Sequence, residues 1–236
     1  PILAIGRADD PGFAALKTPG VIGVHCLMPE EWLRGAKSVI SLFLPFTDRV
    51  IKSNTADRIQ PSWEWLFTRV DGQQHLLATG ELVRQALISE GYRAVVPQTD
   101  ERYIMRTARE QEHLGIPVWS SNWSERHVAY VCGLGTFSLS KGLITERGVS
   151  GRFGSVVTDA PLPVSTRGYT GLYDYCTRCG ACVRNCPAHA ISLEHGKSHR
   201  LCCSYFDTLR ERYAPRFGCG KCQVGVPCER GIPRKV

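Results

Sequence analysis

The chain has 236 residues, 43% hydrophobic, 22% charged and 9% aromatic, with a formal net charge of +7. That balance excludes a disordered or fibrous polymer and suits one sizeable domain with a small appendage. No run approaches the roughly 18 consecutive apolar residues of a membrane span, so no membrane partner is expected.

The first 20 residues carry no pattern that assigns them. Val39 to Leu44 is an apolar run closed by Pro45, which suits a buried strand. Residues 47–69 show no periodicity, and their Trp63, Trp65 and Phe67 read as core or interface packing. Gln74 to Glu90 reads as an amphipathic helix with Leu76, Val83, Ala86 and Leu87 on one face and Gly91 as its stop. Ala94 to Val96, closed by Pro97, is a second strand. Asn122 with Glu125 resembles a capping box that opens a helix through Tyr130, ending at Gly133. Gly154 to Thr158 is a third strand, leading into Asp159. Pro161, Pro163, Ser165, Thr166 and Gly168 then form a turn-rich stretch, where the domain boundary is expected. The fold class implied is mixed α/β (α+β) over residues 1–165, followed by a small module over 166–236.

Eleven cysteines, crowded from Cys176 onward, decide what that module is. Cys176, Cys179, Cys182 and Cys186 form C-x2-C-x2-C-x3-C followed by Pro187, the bacterial ferredoxin run. Tight turns at two-residue spacing aim three thiolates at one cubane, while the fourth cysteine ligates its neighbour, so a second group is required. Cys219, Cys222 and Cys228 supply it, with either Cys202 or Cys203. Crossed ligation assigns Cys176, Cys179, Cys182 and Cys228 to one [4Fe-4S] cluster and Cys186, Cys202, Cys219 and Cys222 to the other. The five residues between Cys222 and Cys228 exceed the usual three. Zinc also uses C-x2-C pairs, but four cysteines in one short run ending in Pro favour the cluster. Cys26 and Cys132 read as buried small hydrophobes. This use of cysteine requires no oxidising compartment, and a cytoplasmic location is expected.

The net charge reads differently once clusters are counted. Two oxidised cubanes with their thiolates add about −4 and leave about +3, an ordinary value for a soluble protein. Arg178, Arg184, Arg200 and Lys221 then read first as compensation for cluster charge and second as a docking surface.

Cys132-Gly133-Leu134-Gly135, Gly142 through Gly148, Arg152, and Val157-Thr158-Asp159-Ala160-Pro161-Leu162 resemble the glycine-loop, ITPE.G and TDLPL signatures of the epoxyqueuosine reductase and corrinoid reductive dehalogenase superfamily. Arg200 to Tyr205 is similar to the RCISY segment of epoxyqueuosine reductase, which selects Cys202 over Cys203. The resemblance implies a nitroreductase-like, cobalamin-type N-terminal domain, with Gly133, Gly135 and Arg152 contributing to a corrinoid site. The same glycines also suit a helix cap and a turn. The resemblance further implies an electron donor such as ferredoxin or flavodoxin, and a small molecule or corrinoid protein as substrate.

One departure stands out. Counted back without gaps from Gly133, the catalytic Asp of the epoxyqueuosine reductase pattern falls on Trp119, and no carboxylate lies between Trp119 and Ser124. Ser120, Ser121, Tyr103, Tyr130 and His127 are the neighbouring groups that would have to substitute. The catalytic residue is therefore unassigned, tRNA is not expected as a partner, and two readings remain. One is an iron-sulfur reductase of altered substrate; the other is a ferredoxin-like electron carrier or corrinoid-reactivating protein without substrate chemistry of its own.

Overall fold

The structure, a computed structural model, describes residues 1–106 and 119–234. In chain order its elements are β1 (Ile2–Arg7), α1 (Pro11–Ala15), α2 (Pro29–Trp32), β2 (Ser38–Pro45), α3 (Asp48–Ser53), α4 (Trp63–Ser89), β3 (Ala94–Val95), β4 (Met105–Arg106), β5 (Ser120–Ser121), α5 (Glu125–Cys132), β6 (Gly135–Phe137), β7 (Leu143–Thr145), β8 (Gly151–Thr158), α6 (Ala181–Arg184), β9 (Ile191–Ser192), β10 (Gly196–Lys197) and α7 (His199–Tyr213). Among the described residues no helix is long and apolar enough to cross a membrane.

The chain divides into two compact units that interleave in sequence. One comprises Pro1–Phe43, His75–Leu134 and Phe153–Gly168; the other comprises Leu44–Gln74, Gly135–Arg152 and Tyr169–Val236. The cysteine-bearing unit thus recruits two earlier segments, 44–74 and 135–152, besides the residues after the turn-rich stretch.

The first unit is built on a four-stranded sheet in the order β1-β2-β8-β3. Strand β2 lies between two neighbours, and residues 38–43 are all buried, which is why the sequence there is apolar apart from Ser38 and Ser41. Strand β1 pairs antiparallel with β2 from Ile2 opposite Phe43 to Arg7 opposite Ser38. As an edge strand it alternates buried and exposed positions, and Leu3 is exposed. A side chain at Gly6 would collide with Cys132 of α5, so the glycine permits that helix to pack on the edge strand. Around Trp123 the core is aromatic: Phe13 stacks at 6.0 Å, Trp32 meets it edge-on at 5.9 Å, and the indole N–H donates to Ser155 Oγ at 2.8 Å.

Helix α5 departs from the expected capping box. Its N-cap is Ser124, whereas Asn122 is engaged elsewhere: its Oδ1 accepts from Ile104 N–H and its Nδ2 donates to the Arg102 carbonyl. The helix ends at Gly133, in the left-handed conformation with φ +104°. Helix α4 is longer than its periodicity indicates, beginning at Trp63. Of the four residues expected on its packed face, Leu76 is buried, Val83 and Leu87 are half-buried and Ala86 is exposed.

The second unit holds the β6–β7 hairpin, the short β9–β10 hairpin, α3, α6 and α7. Its apolar interior comes in patches. Phe46, Val50, Ile51, Trp65 and Val224 form one; Ile144, Val149, Ala181 and Val226 another; Leu139, Cys186, Ala190 and Ile191 a third. Cys176, Cys182 and Cys228 pack on the second patch, and Cys176, Cys182, Cys202 and Cys222 on the third.

Candidate iron-sulfur site

The cysteine run is shaped by left-handed turns. Cys176 N–H donates to the Tyr173 carbonyl at 2.9 Å; Arg178 then takes φ +54° and Gly180 φ +74°, so the chain reverses twice before α6 carries Cys182. A positive φ is cheap at glycine and costly at arginine. The Arg178 guanidinium donates to the Leu193 carbonyl at 2.7 Å, which holds its strained residue in place. Cys186 follows α6 and is buried, and its sulfur accepts the Ala190 N–H at 3.3 Å.

The remaining cysteines arrive from three further places. Helix α7, whose Leu201 N–H is capped by Ser198 Oγ at 3.4 Å, brings Cys202 against the patch that contains Cys186; of the adjacent pair Cys202 and Cys203, Cys202 is the one packed there. Gly218 (φ +152°) and Gly220 (φ +71°) flank Cys219. A side chain at Gly220 would occupy the space of the Trp65 indole, so this close approach also requires glycine. Cys228 is fixed by its carbonyl, which accepts from Val149 N–H at 2.9 Å.

These placements give two overlapping neighbourhoods of thiols, since Cys176 and Cys182 share a patch with Cys186, Cys202 and Cys222. Cys176, Cys179, Cys182 and Cys228 line a small cavity together with Ser138, Leu139 and Cys222. Burial pushes the Cys228 thiol up to about 12, and the next contributions come from Cys176, Cys182 and Cys179. Cys182 is pushed up to about 11 by burial, then by Cys222, Cys176 and Cys179. Burial likewise pushes Cys219 up to about 12; Cys222 and Cys202 raise it further, while the Lys221 N–H and ammonium oppose the rise. Like charges raise one another in this way only at close range. Three thiols so disfavoured as anions suit a cationic iron-sulfur core, which stabilises them as thiolates. Among the described residues no three His, Cys, Asp or Glu side chains converge on a point that would hold a single metal ion.

A buried polar lock lies beside Cys219. The Lys221 ammonium, 3% exposed, donates to the Asn54 carbonyl at 2.7 Å, Asn54 Oδ1 at 3.2 Å and the Asp57 carbonyl at 2.8 Å. Asn54 Nδ2 donates to the Cys219 carbonyl at 3.0 Å, and Asn54 Oδ1 also accepts from Ser62 N–H. Tyr205 of α7 donates its hydroxyl to the Ile59 carbonyl at 2.6 Å, so residues 54–62 are tied down from two sides. The sequence points to Lys221, and to Tyr205 only as part of the stretch similar to RCISY, but not to Asn54. Nothing local marks residue 54, which matters only through contacts with residues far along the chain.

The residues assigned by resemblance to a corrinoid are each engaged by the protein. Gly133 caps α5. Gly135 lies in β6, where a side chain would overlap the Ile144 carbonyl. Arg152 donates to Gln73 Oε1 at 2.7 Å. None of the three presents an unfilled cradle, so they do not by themselves fit a corrinoid. Trp119 is half-buried and precedes β5, which pairs with β4; there Ser120 Oγ meets His25 Nε2 at 2.7 Å and Ser121 donates to the Trp123 carbonyl. Among the other groups near that position, His127 Nδ1 lies 2.7 Å from Ser124 Oγ.

Residues 172–192 match the 4Fe-4S binding domain family, which spans the run from Cys176 to Cys186. An epoxyqueuosine reductase from Aliivibrio fischeri is 28% identical over 200 residues, covering 79% of this chain and 51% of that protein. A trichloroethene reductive dehalogenase from Dehalococcoides mccartyi is 31% identical over 100 residues, covering 40% of this chain and 18% of that protein. The solved structure of a reductive dehalogenase, described in connection with B12-dependent dehalogenation, has a TM-score of 0.60 at 16% identity, covering 98% of this chain and 30% of that one. The chain therefore spans about half the length of the first of these curated relatives and less of the second, and the structural likeness shows a shared fold.

Proposed function

Because the chain belongs to the superfamily of epoxyqueuosine reductases and reductive dehalogenases and carries a 4Fe-4S binding domain, we propose that it passes electrons through two [4Fe-4S] clusters to a substrate site of its own. The observation that supports this reading is that Cys176, Cys179, Cys182 and Cys228 line one cavity while Cys202 and Cys222 lie near Cys219. On this reading the first four hold one cluster and Cys186, Cys202, Cys219 and Cys222 hold the other.

When bound, the clusters supply one-electron storage at two places along the chain. The protein's part is to hold the thiolates, exclude water and set the charge around them. Burial of Cys186 and the Ala190 N–H on its sulfur serve the first two of these tasks, and Lys221 beside Cys219 serves the third. Cys186 sits four residues after Cys182 and serves the other neighbourhood, so the two stores lie close together. A low-potential one-electron donor such as ferredoxin or flavodoxin would supply the electrons, in the cytoplasm.

Cobalamin as the immediate acceptor rests on the relatives, one of which is described in connection with B12. The substrate under this reading is a small molecule or a corrinoid protein, with tRNA set aside because Trp119 replaces the expected Asp. That same replacement favours the second reading, an electron carrier or corrinoid-reactivating protein without substrate chemistry of its own. A visible spectrum of the anaerobically purified protein, recorded before and after cobalamin addition, separates the cases. A shift of the corrin bands at one equivalent supports a bound corrinoid. Unchanged bands, with eight iron atoms present, leave the carrier.

A further inference from the structure

From the geometry of the lock at residue 54, we infer that Lys221 is a redox-positioning residue that raises the reduction potential of the cluster held by Cys186, Cys202, Cys219 and Cys222. This rests on the two-cluster reading above. Three features of the chain support it.

The first is the charge state. Lys221 Nζ has three oxygen acceptors within 3.2 Å, namely the Asn54 carbonyl, Asn54 Oδ1 and the Asp57 carbonyl. An ammonium has three N–H donors and a neutral amine two, so the site is built for the cation. Burying a lone ammonium is expensive. Its aliphatic stem and head are nonetheless 97% covered, and no carboxylate pairs with the ammonium within salt-bridge distance among the described residues. The charge is thus kept where its natural counter-ion is the thiolate-bearing cluster.

The second is location. Lys221 lies between Cys219 and Cys222, and the Asn54 side chain that receives its ammonium also grips the Cys219 carbonyl at 3.0 Å. The cation and this ligand turn are therefore parts of one rigid unit.

The third is the electron count. One electron from a low-potential donor takes a [4Fe-4S] core with four thiolates from about −2 to about −3, with no proton transferred. A fixed cation in a poorly solvated pocket stabilises the more negative state more than the less negative one, so it makes reduction easier. Cys176, Cys179 and Cys182 have no comparable buried lysine among their neighbours in the described residues; Arg178 and Arg184, which flank them, direct guanidinium groups to the Leu193 and Cys179 carbonyls at the surface. The two clusters would then differ in potential by construction, with the Cys219 cluster as the more easily reduced.

The test is a redox titration with dithionite, followed by electron paramagnetic resonance, on the anaerobically reconstituted full chain and on Lys221→Met. With about eight iron atoms retained, the expected result is one midpoint moved to a more negative potential and the other unchanged. Asn54→Asp, which keeps the lysine but places a carboxylate against it, should move the same midpoint in the same direction, and stands in if Lys221→Met does not fold. Lys221→Arg should remain closer to the wild-type value than Lys221→Met. Unchanged midpoints in a variant with full iron would overturn the inference, as would loss of the second cluster in both Lys221→Met and Asn54→Asp. Fewer than eight iron atoms in the wild-type chain would instead overturn the two-cluster reading on which it rests.

Discussion

Asn54 and Cys219 are joined by a hydrogen bond of 3.0 Å from the Asn54 amide to the cysteine's carbonyl, across 165 positions of sequence. Asn54 is wholly buried and also accepts from Ser62 N–H and from Lys221. Replacing it with Leu would leave a buried ammonium and a buried carbonyl short of partners, at a cost of about 1–3 kcal/mol. Anaerobic thermal unfolding should show a lowered midpoint for Asn54→Leu, whereas the exposed Ser89→Ala should unfold like the parent.

Iron analysis after anaerobic reconstitution should give about eight atoms per chain. Close spacing of the two neighbourhoods also predicts magnetic interaction, seen as broadened or split resonance signals in the fully reduced protein. Stoichiometric zinc with little iron would contradict the first expectation, and two sharp independent signals the second.

Cys179→Ser should remove one cluster and leave the other at least partly assembled, because Cys179 belongs to the neighbourhood of Cys176, Cys182 and Cys228. Cys203→Ser should leave both, since Cys202 is the member of the pair that packs beside Cys186. Iron content and visible absorbance read both variants, and loss of a cluster in Cys203→Ser would show that the wrong neighbour was assigned.

Gly220→Ala combines a backbone conformation that L-residues resist, φ +71°, with a methyl group directed into the Trp65 indole. We expect a stability loss of about 2 kcal/mol or more, with weaker retention of the cluster that uses Cys219. Gly91→Ala shares a positive φ but meets nothing within 4 Å, so it should cost less. Equal unfolding midpoints for the two variants would refute the packing argument.

Epoxyqueuosine in tRNA should not be reduced efficiently, even with both clusters and cobalamin in place. An indole at position 119 cannot donate a carboxyl proton, and loss of a placed general acid commonly costs on the order of a hundredfold to ten-thousandfold in rate. Queuosine formation with a strong reductant, measured beside an authentic reductase, is the check; comparable turnover would overturn the argument.

Much of this molecule is legible where the determinants are local. Strands β2 and β3 declare themselves as apolar stretches closed by proline, and β8 as the stretch from Gly154 to Thr158 that leads into Asp159. The run from Cys176 to Cys186 is compact enough for spacing alone to identify it. Strand β1 escapes notice because an edge strand buries only alternate residues and here includes Gly6. The opening of α4 escapes because Trp63 and Phe67 stay exposed while Trp65 between them is buried, which blurs any single face. Asn122 misleads because its capping chemistry is spent on Arg102 and Ile104 instead of α5. Asn54, Trp65 and Gly220 acquire meaning only once distant segments meet, and no window of sequence contains that meeting.

The interleaving of the cysteine-bearing unit also sets an order of events during synthesis. The ribosome releases Asn54 and Trp65 long before Cys219 and Lys221, and the segment with Val149 before Cys228. Until the last of these emerges, a buried indole and a side-chain amide lack their partners, and the early segments cannot finish folding by themselves. Cofactor loading is thereby tied to completion of these segments, so a fragment of residues 166–236 made alone would be a poor iron acceptor, and a stalled chain would be recognisable to proteases by its unfinished interior.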